Sequence, residues 1–184
     1  FSASFSNSNQ IATHDSKIKT SPQIEARSIF QVQSSFPLIK KEKFYVNTIE
    51  PRLSFRINPG DMNKYTNDER KINVDNIFNI NRLALGDSYE AGKSLTLGIN
   101  YKKEKIANIN KYFEFKLATV LRDKENKDLP IKSTLDQKSS NIFGNIEFKP
   151  SKFFNIEYDF SLDNDFKRST YDHIKTELYI NNFV

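Results

Sequence analysis

Phe113-Glu114-Phe115-Lys116-Leu117-Ala118-Thr119-Val120-Leu121 alternates without a break, with Phe, Phe, Leu, Thr and Leu on one side and Glu114 and Lys116 on the other. A period of two over that length marks a β-strand with one apolar and one hydrated face. The same rhythm recurs elsewhere. Phe154, Ile156, Tyr158, Phe160 and Leu162 alternate with Asn155, Glu157, Asp159 and Ser161, and Leu95, Leu97, Ile99 and Tyr101 alternate with Ser94, Thr96, Gly98 and Asn100. Strands of globular proteins usually run about 5–6 residues, whereas a strand tilted across a bilayer needs roughly 9–11. These runs have the longer length.

Read outward from that stretch, the chain contains about eight long strands, at 1–8, 24–38, 44–57, 92–103, 111–122, 141–149, 153–162 and 170–181. The connections between them alternate in length. Residues 9–23 are long and polar, 39–43 short, 58–91 very long, 104–110 short, 123–140 long and 150–152 a tight turn. Residues 163–169 are intermediate. The very long connection opens on the turn signal Asn58-Pro59-Gly60-Asp61. Short turns at one end and long loops at the other are the habit of outer-membrane barrels. The pattern holds if 72–80, which alternates weakly, belongs to the long connection and not to the wall. The fold expected is all-β: an antiparallel up-and-down transmembrane β-barrel fragment, an open partial wall over residues 1–184.

Composition is compatible with this. A mean hydropathy of −0.65 and 28% charged residues exclude helical membrane spans. They do not count against a barrel, whose inner face is polar by construction. The sets Phe113/Phe115/Leu117/Leu121, Leu95/Leu97/Ile99/Tyr101 and Ile174/Thr176/Leu178/Ile180 carry no charge, while Glu114, Lys116, Glu157, Asp159, Lys175 and Glu177 fall on the opposite face. A soluble sandwich also keeps charge off its buried face, so this test alone leaves both architectures open. The 184-residue chain has no cysteine and no tryptophan, so thiol chemistry is absent and any interfacial girdle uses its 8 Tyr and 16 Phe. The net charge of +5 is spread among acidic residues, which reads as a solvated surface with no nucleic-acid site. No basic and apolar leader opens the chain at Phe1, and a strand is already under way there, so the chain reads as a piece of a longer protein.

Chemistry is sparsely signalled. His14 and His173 have no neighbouring ligand set, and the acidic stretch 159–165 lacks the spacing of a calcium loop. No nucleophile elbow or phosphate loop occurs. Catalytic residues, metal sites and cofactors are therefore not expected. Pro51 is the odd residue inside a strand, and a bulge is expected there.

Tyr45-Val46-Asn47-Thr48-Ile49-Glu50-Pro51-Arg52-Leu53 resembles the Thr-Leu/Ile-Glu-Pro-Arg signature in the barrel of the lipopolysaccharide-assembly family LptD (OstA). Asn81-Arg82-Leu83-Ala84-Leu85-Gly86-Asp87 is similar to that family's Asn-Arg-Phe/Tyr-x-Gly-x-Asp-Arg element, and Ala91-Gly92-Lys93-Ser94-Leu95-Thr96-Leu97-Gly98 to the segment Asn-Gln-x-Thr-x-Gly that follows it. Leu129-Pro130 with Ser139, Asn141, Phe143 and Gly144 is similar to the next loop and strand of alphaproteobacterial members. Ser88 stands where the family has arginine, one extra residue shifts the second element, and the cysteines paired in some members are missing.

The resemblance implies a protein of the Gram-negative outer membrane that inserts lipopolysaccharide into the outer leaflet. It implies a periplasmic Lpt bridge and an LptE-like lipoprotein as partners, alongside outer-membrane lipids. It marks Glu50, Pro51, Arg52, Asn81, Arg82, Gly86 and Asp87 as motif positions of wall and loop. The upstream jellyroll and the gate strands are not expected within 1–184. On the hydrated face, Arg52, Arg56, Lys116 and Lys175 are candidates to meet anionic sugars or phosphates, against simple pairing with Glu50, Glu114, Glu157 and Glu177 across strands. The rival readings are another outer-membrane barrel (a TonB-dependent receptor or porin), a soluble β-sandwich binding module, and an enzyme.

Overall fold

The computed structural model describes residues 2–10 and 23–180. They form one antiparallel sheet of nine strands. In chain order these are β1 (Ser2–Gln10), β2 (Gln23–Ser35), β3 (Leu38–Lys41), β4 (Tyr45–Asn58), β5 (Gly92–Lys105), β6 (Asn108–Arg122), β7 (Ile142–Ser151), β8 (Phe154–Leu162) and β9 (Ser169–Leu178). The spatial order is β1-β2-β4-β5-β6-β7-β8-β9, with β3 on β4 as the continuation of β2. The result is an open up-and-down wall. At 14, 14 and 15 residues, β4, β5 and β6 exceed the length needed to cross a bilayer. No helix among the described residues is long and apolar enough to do so. Most of the 9–23 connection, with His14, lies outside the described residues.

The eight expected strands are present, and the second is interrupted. Ser35 faces Arg52 and Leu38 faces Ile49, so Phe36 and Pro37 lie opposite Pro51 and Glu50 with no residue gained or lost. The β4–β5 register also runs unbroken through Pro51 and Ile99. The bulge expected at Pro51 is therefore absent, and the reason is local. Phe36 N–H donates to the Pro51 carbonyl at 3.1 Å. An antiparallel pair of that kind normally exchanges two bonds, and Pro51 has no N–H to return. One ladder bond is lost toward β3, and none toward β5.

Connections 42–44, 106–107 and 152–153 fall at one end of the meander; 59–91, 123–141 and 163–168 fall at the other. Residues 72–80 contribute no strand. Instead the long connection folds back over the charged face of the sheet. Ile72, Val74, Ile77, Phe78, Leu83 and Leu85 pack there with Leu129 and Leu135, on Ala118, Val120 and Phe143 of the wall. Full burial of each large apolar side chain contributes about 1.5–3 kcal/mol, which makes this connection a structural layer.

Among the described residues the opposite face has no such cover. Phe30, Val32, Ile49, Leu53, Phe55, Leu97, Ile99, Leu121 and Phe148 remain exposed on it. A β-sandwich would bury that apolar face against a second sheet. Here the protein core forms on the charged side and the apolar side faces outward.

Candidate functional site, a loop locked onto the charged face

The register gathers the polar positions of neighbouring strands onto one face at the long-loop end. Arg56 of β4 lies opposite Ser94 of β5, which lies opposite Arg122 of β6. Ser54 and Thr96 occupy the next row, and Arg52 faces Gly98 in the row after that. To the Arg56–Arg122 row the 59–91 connection adds two ionisable side chains, Arg82 and Glu90.

Glu90 is the only carboxylate in the resulting cluster of four buried ionisable side chains. Its Oε2 accepts from Arg82 Nε at 2.8 Å and Arg56 Nη1 at 3.1 Å, and its Oε1 from Arg82 Nη2 at 2.5 Å and from Arg122 Nη1. Arg82 continues to Thr96 Oγ1 at 3.1 Å and Ser94 Oγ at 3.2 Å. Arg56 also donates to the Asn79 carbonyl, and Arg122 to that of Ala91 at 2.5 Å. All four charged side chains are at most 5% exposed. Arg56 Nε and Arg122 Nε find no acceptor. Burial by itself pushes the Glu90 carboxyl up, but Arg82, Arg56 and Arg122 outweigh it and hold the group at about 2. A carboxylate so depressed and so fully engaged is suited to holding chains together and not to moving protons.

A second contact lies one row down. The Arg52 guanidinium sits 4.2 Å from the centroid of the Phe78 ring. The same ring rests on Gly98, where an added Cβ would lie 2.7 Å from Phe78 Cζ. Only the missing side chain at Gly98 lets the loop approach the wall this closely.

Between these contacts the loop braces itself. Asn81 donates to the Leu85 carbonyl at 2.9 Å and accepts from Leu85 N–H at 3.1 Å, closing a turn in which Ala84 is left-handed. Asp87 accepts from Asn63 Nδ2 at 3.0 Å, and buried Ser88 accepts from Asn63 N–H at 3.0 Å. Gly86 has open space around it, so nothing in the structure requires glycine there.

The motif positions therefore meet. Arg52 from the first element reaches the loop, Arg82 from the second anchors it, and Thr96 and Gly98 from the third receive it. Glu50 is half-buried on β4 opposite Asn100, and Pro51 is exposed on the apolar face. Reading the residues in order missed Glu90, Arg122 and Phe78, because no local pattern distinguishes them from solvated neighbours.

The remaining basic candidates stay apart from this cluster. Lys116 Nζ lies 3.6 Å from Asp75 and 3.7 Å from Glu114, and Lys175 Nζ 2.7 Å from Glu177. These pairings run along a strand or to the loop, unlike the cross-strand pairing expected. Across strands the carboxylates are met chiefly by amides: Asn100 donates to Glu114 at 2.9 Å, Asn145 to Glu157 at 2.9 Å and to Asp159 at 2.8 Å, and Asn155 to Glu147 at 3.0 Å. In the acidic stretch, Asp163 accepts from Lys167 N–H at 2.7 Å and Asp165 lies 3.2 Å from Lys167 Nζ. Among the described residues no group of three or more His, Cys, Asp or Glu is placed to hold a metal ion.

Comparison with curated proteins finds no match to this chain. A family model described as "LptD: LPS transport system D" matches residues 4–180, nearly the whole chain. With the three motif segments gathered at one face of an open antiparallel wall, the chain belongs to the LptD family, which transports lipopolysaccharide at the outer membrane of Gram-negative bacteria.

Proposed function

We propose that residues 1–184 form part of the barrel wall of a translocon that inserts lipopolysaccharide into the outer leaflet, with the 59–91 connection folded into the lumen. One observation carries this reading: the two faces of the sheet suit two different surroundings. On β5 the outward row Leu95, Leu97, Ile99 and Tyr101 is bounded by Lys93 and Lys103. The ten residue steps from Lys93 to Lys103, at about 3.4 Å each and tilted by about 40°, span about 25 Å, the height of the apolar band of an outer-membrane barrel. The other face offers ammonium, guanidinium, amide and carboxylate groups to a hydrated passage.

On that face Lys116 and Lys175, with side chains 29% and 53% exposed, and half-buried Arg52 are the groups we assign to anionic sugar or phosphate. Arg56 is enclosed, and its role is to hold the loop. A periplasmic Lpt bridge delivers the glycolipid and an LptE-like lipoprotein occupies the lumen in this reading. The chain moves a substrate without reacting with it. The test is photocrosslinking in the full-length protein in cells, from analogues placed at Lys116 and Lys175. Lipopolysaccharide adducts from these positions, with none from Leu97, are expected. Adducts absent from both inner positions overturn the assignment.

A further inference from the structure

At the short-turn end the apolar face of the wall gives way to a belt of lysines and rings. The register sets Asn47, Lys103, Phe113 and Phe148 in one row of that face and pairs Tyr45 with Lys105 one row beyond. A cleft of about 380 Å³ opens here, bordered by Tyr45, Phe148 and, on this face, the three lysines Lys103, Lys105 and Lys111.

None of these lysines has a carboxylate within ion-pair distance among the described residues. The neighbouring acids are engaged elsewhere: Glu104 lies 3.1 Å from Lys102, and Glu147 accepts from Tyr112 Oη at 2.7 Å. Lys103 Nζ lies 4.7 Å from the Tyr45 ring centroid. Nearby Lys43 and Lys152 lie over Phe44 and Phe153 at 5.2 and 4.8 Å. Such side chains lay their stems on apolar surface and lift the charge to the level of the headgroups. Three ammonium groups with no protein anion among the described residues, beside rings that continue into the apolar band, call for an anion carried on an acyl chain.

We propose that this cleft binds the phosphate of an anionic phospholipid headgroup, its chains running along Phe113 and Phe148 toward Ile99. The inference rests on the wall lying in a bilayer and not on the passage of lipopolysaccharide. Basic pockets at a membrane surface favour anionic lipid by about fivefold per lysine or arginine.

The test uses the full-length protein with a photoreactive phenylalanine analogue at Phe148, in phosphatidylcholine bilayers containing a minor share of phosphatidylglycerol. Mass spectrometry of the adducts is expected to show phosphatidylglycerol enriched at least about fivefold over its share. Lys103→Gln, Lys105→Gln and Lys111→Gln together abolish the enrichment, and Lys103→Arg, Lys105→Arg and Lys111→Arg together keep it. Adducts in proportion to bilayer composition, enrichment untouched by the glutamines, or preference for added lipid A each overturn the proposal. Surface display of lipopolysaccharide, followed in the same variants, separates this site from the transport reading: lost lipid selectivity with intact display belongs to the cleft alone.

Discussion

The two faces of this sheet are built from the same strands and obey opposite rules. The apolar face exposes Phe30, Leu53, Phe55, Leu97 and Ile99 and, among the described residues, carries no protein cover. The charged face buries Ile72, Ile77, Phe78 and Leu83 of the long connection against it, together with three arginines and a glutamate. In a soluble protein those roles would be exchanged. The contrast teaches that polarity along a strand reports which solvent a face meets, and that the protein's own core can form on the polar side when lipid occupies the other.

The contrast is broken most severely at Glu90. Glu90→Gln leaves three buried guanidinium groups without an anion, a loss of about 3–5 kcal/mol. The expected outcome is rapid proteolysis within 59–91 in the full-length protein, while Leu97→Ala on the outer face leaves protection unchanged. The pH dependence has a defined sign. The folded pKa is depressed to about 2 from the ordinary 4.5, so the contribution is complete above the unfolded value and is lost as pH falls through the folded one. Loop protection is therefore flat from neutral pH down to about 5 and declines below that.

A charge placed on the outer face is the next test. Leu97→Arg near the middle of the apolar band is expected to cost about 2–4 kcal/mol in bilayer folding titrations. Asn100→Lys on the hydrated face, beside Glu114, is expected to cost less by the same titration. Equal effects would remove the distinction between the faces.

The glycines sharpen the comparison. An added Cβ at Gly98 meets the Phe78 ring, which is 7% exposed and fixed between wall and loop, so Gly98→Ala is expected to cost about 1–3 kcal/mol. At Gly144 the added Cβ meets Phe160 even more closely, at 2.1 Å from Cζ, but that ring lies on the outer face. It has room to swing into lipid, so Gly144→Ala costs less in the same titration. The smallest effect is a gain. Pro51→Thr restores the missing N–H toward Phe36 and is expected to stabilise by about 0.5–1.5 kcal/mol, with hydrogen exchange at this position reporting the new ladder bond.

Much of the wall was legible in residue order because alternation and turn chemistry are local. Strand existence, the long-short alternation of connections and the exclusion of 72–80 from the wall follow from which residues sit two apart and where the polar runs lie. Even Pro51 announced a weak point, although its form, a missing bond and not an inserted residue, needed the partner strand. The site was legible only in pieces. Arg52, Arg82, Thr96 and Gly98 stood out as motif positions, but nothing local showed that Arg82 docks on Thr96 or that Arg52 and Gly98 hold the same ring. Glu90 and Arg122 had no signal, since a charged side chain reads as solvated until its neighbours are known.

What residue order determined by itself was the two-faced sheet: apolar side chains at every second position over lengths that match a bilayer leave an extended chain no other way to satisfy its backbone and its surroundings together. The tertiary structure alone decided that the 59–91 connection turns inward and that one carboxylate gathers three arginines there. The reason is physical. Burial of a charge depends on which distant groups arrive to neutralise it, and that information is held by strand register and loop path, not by any window of sequence.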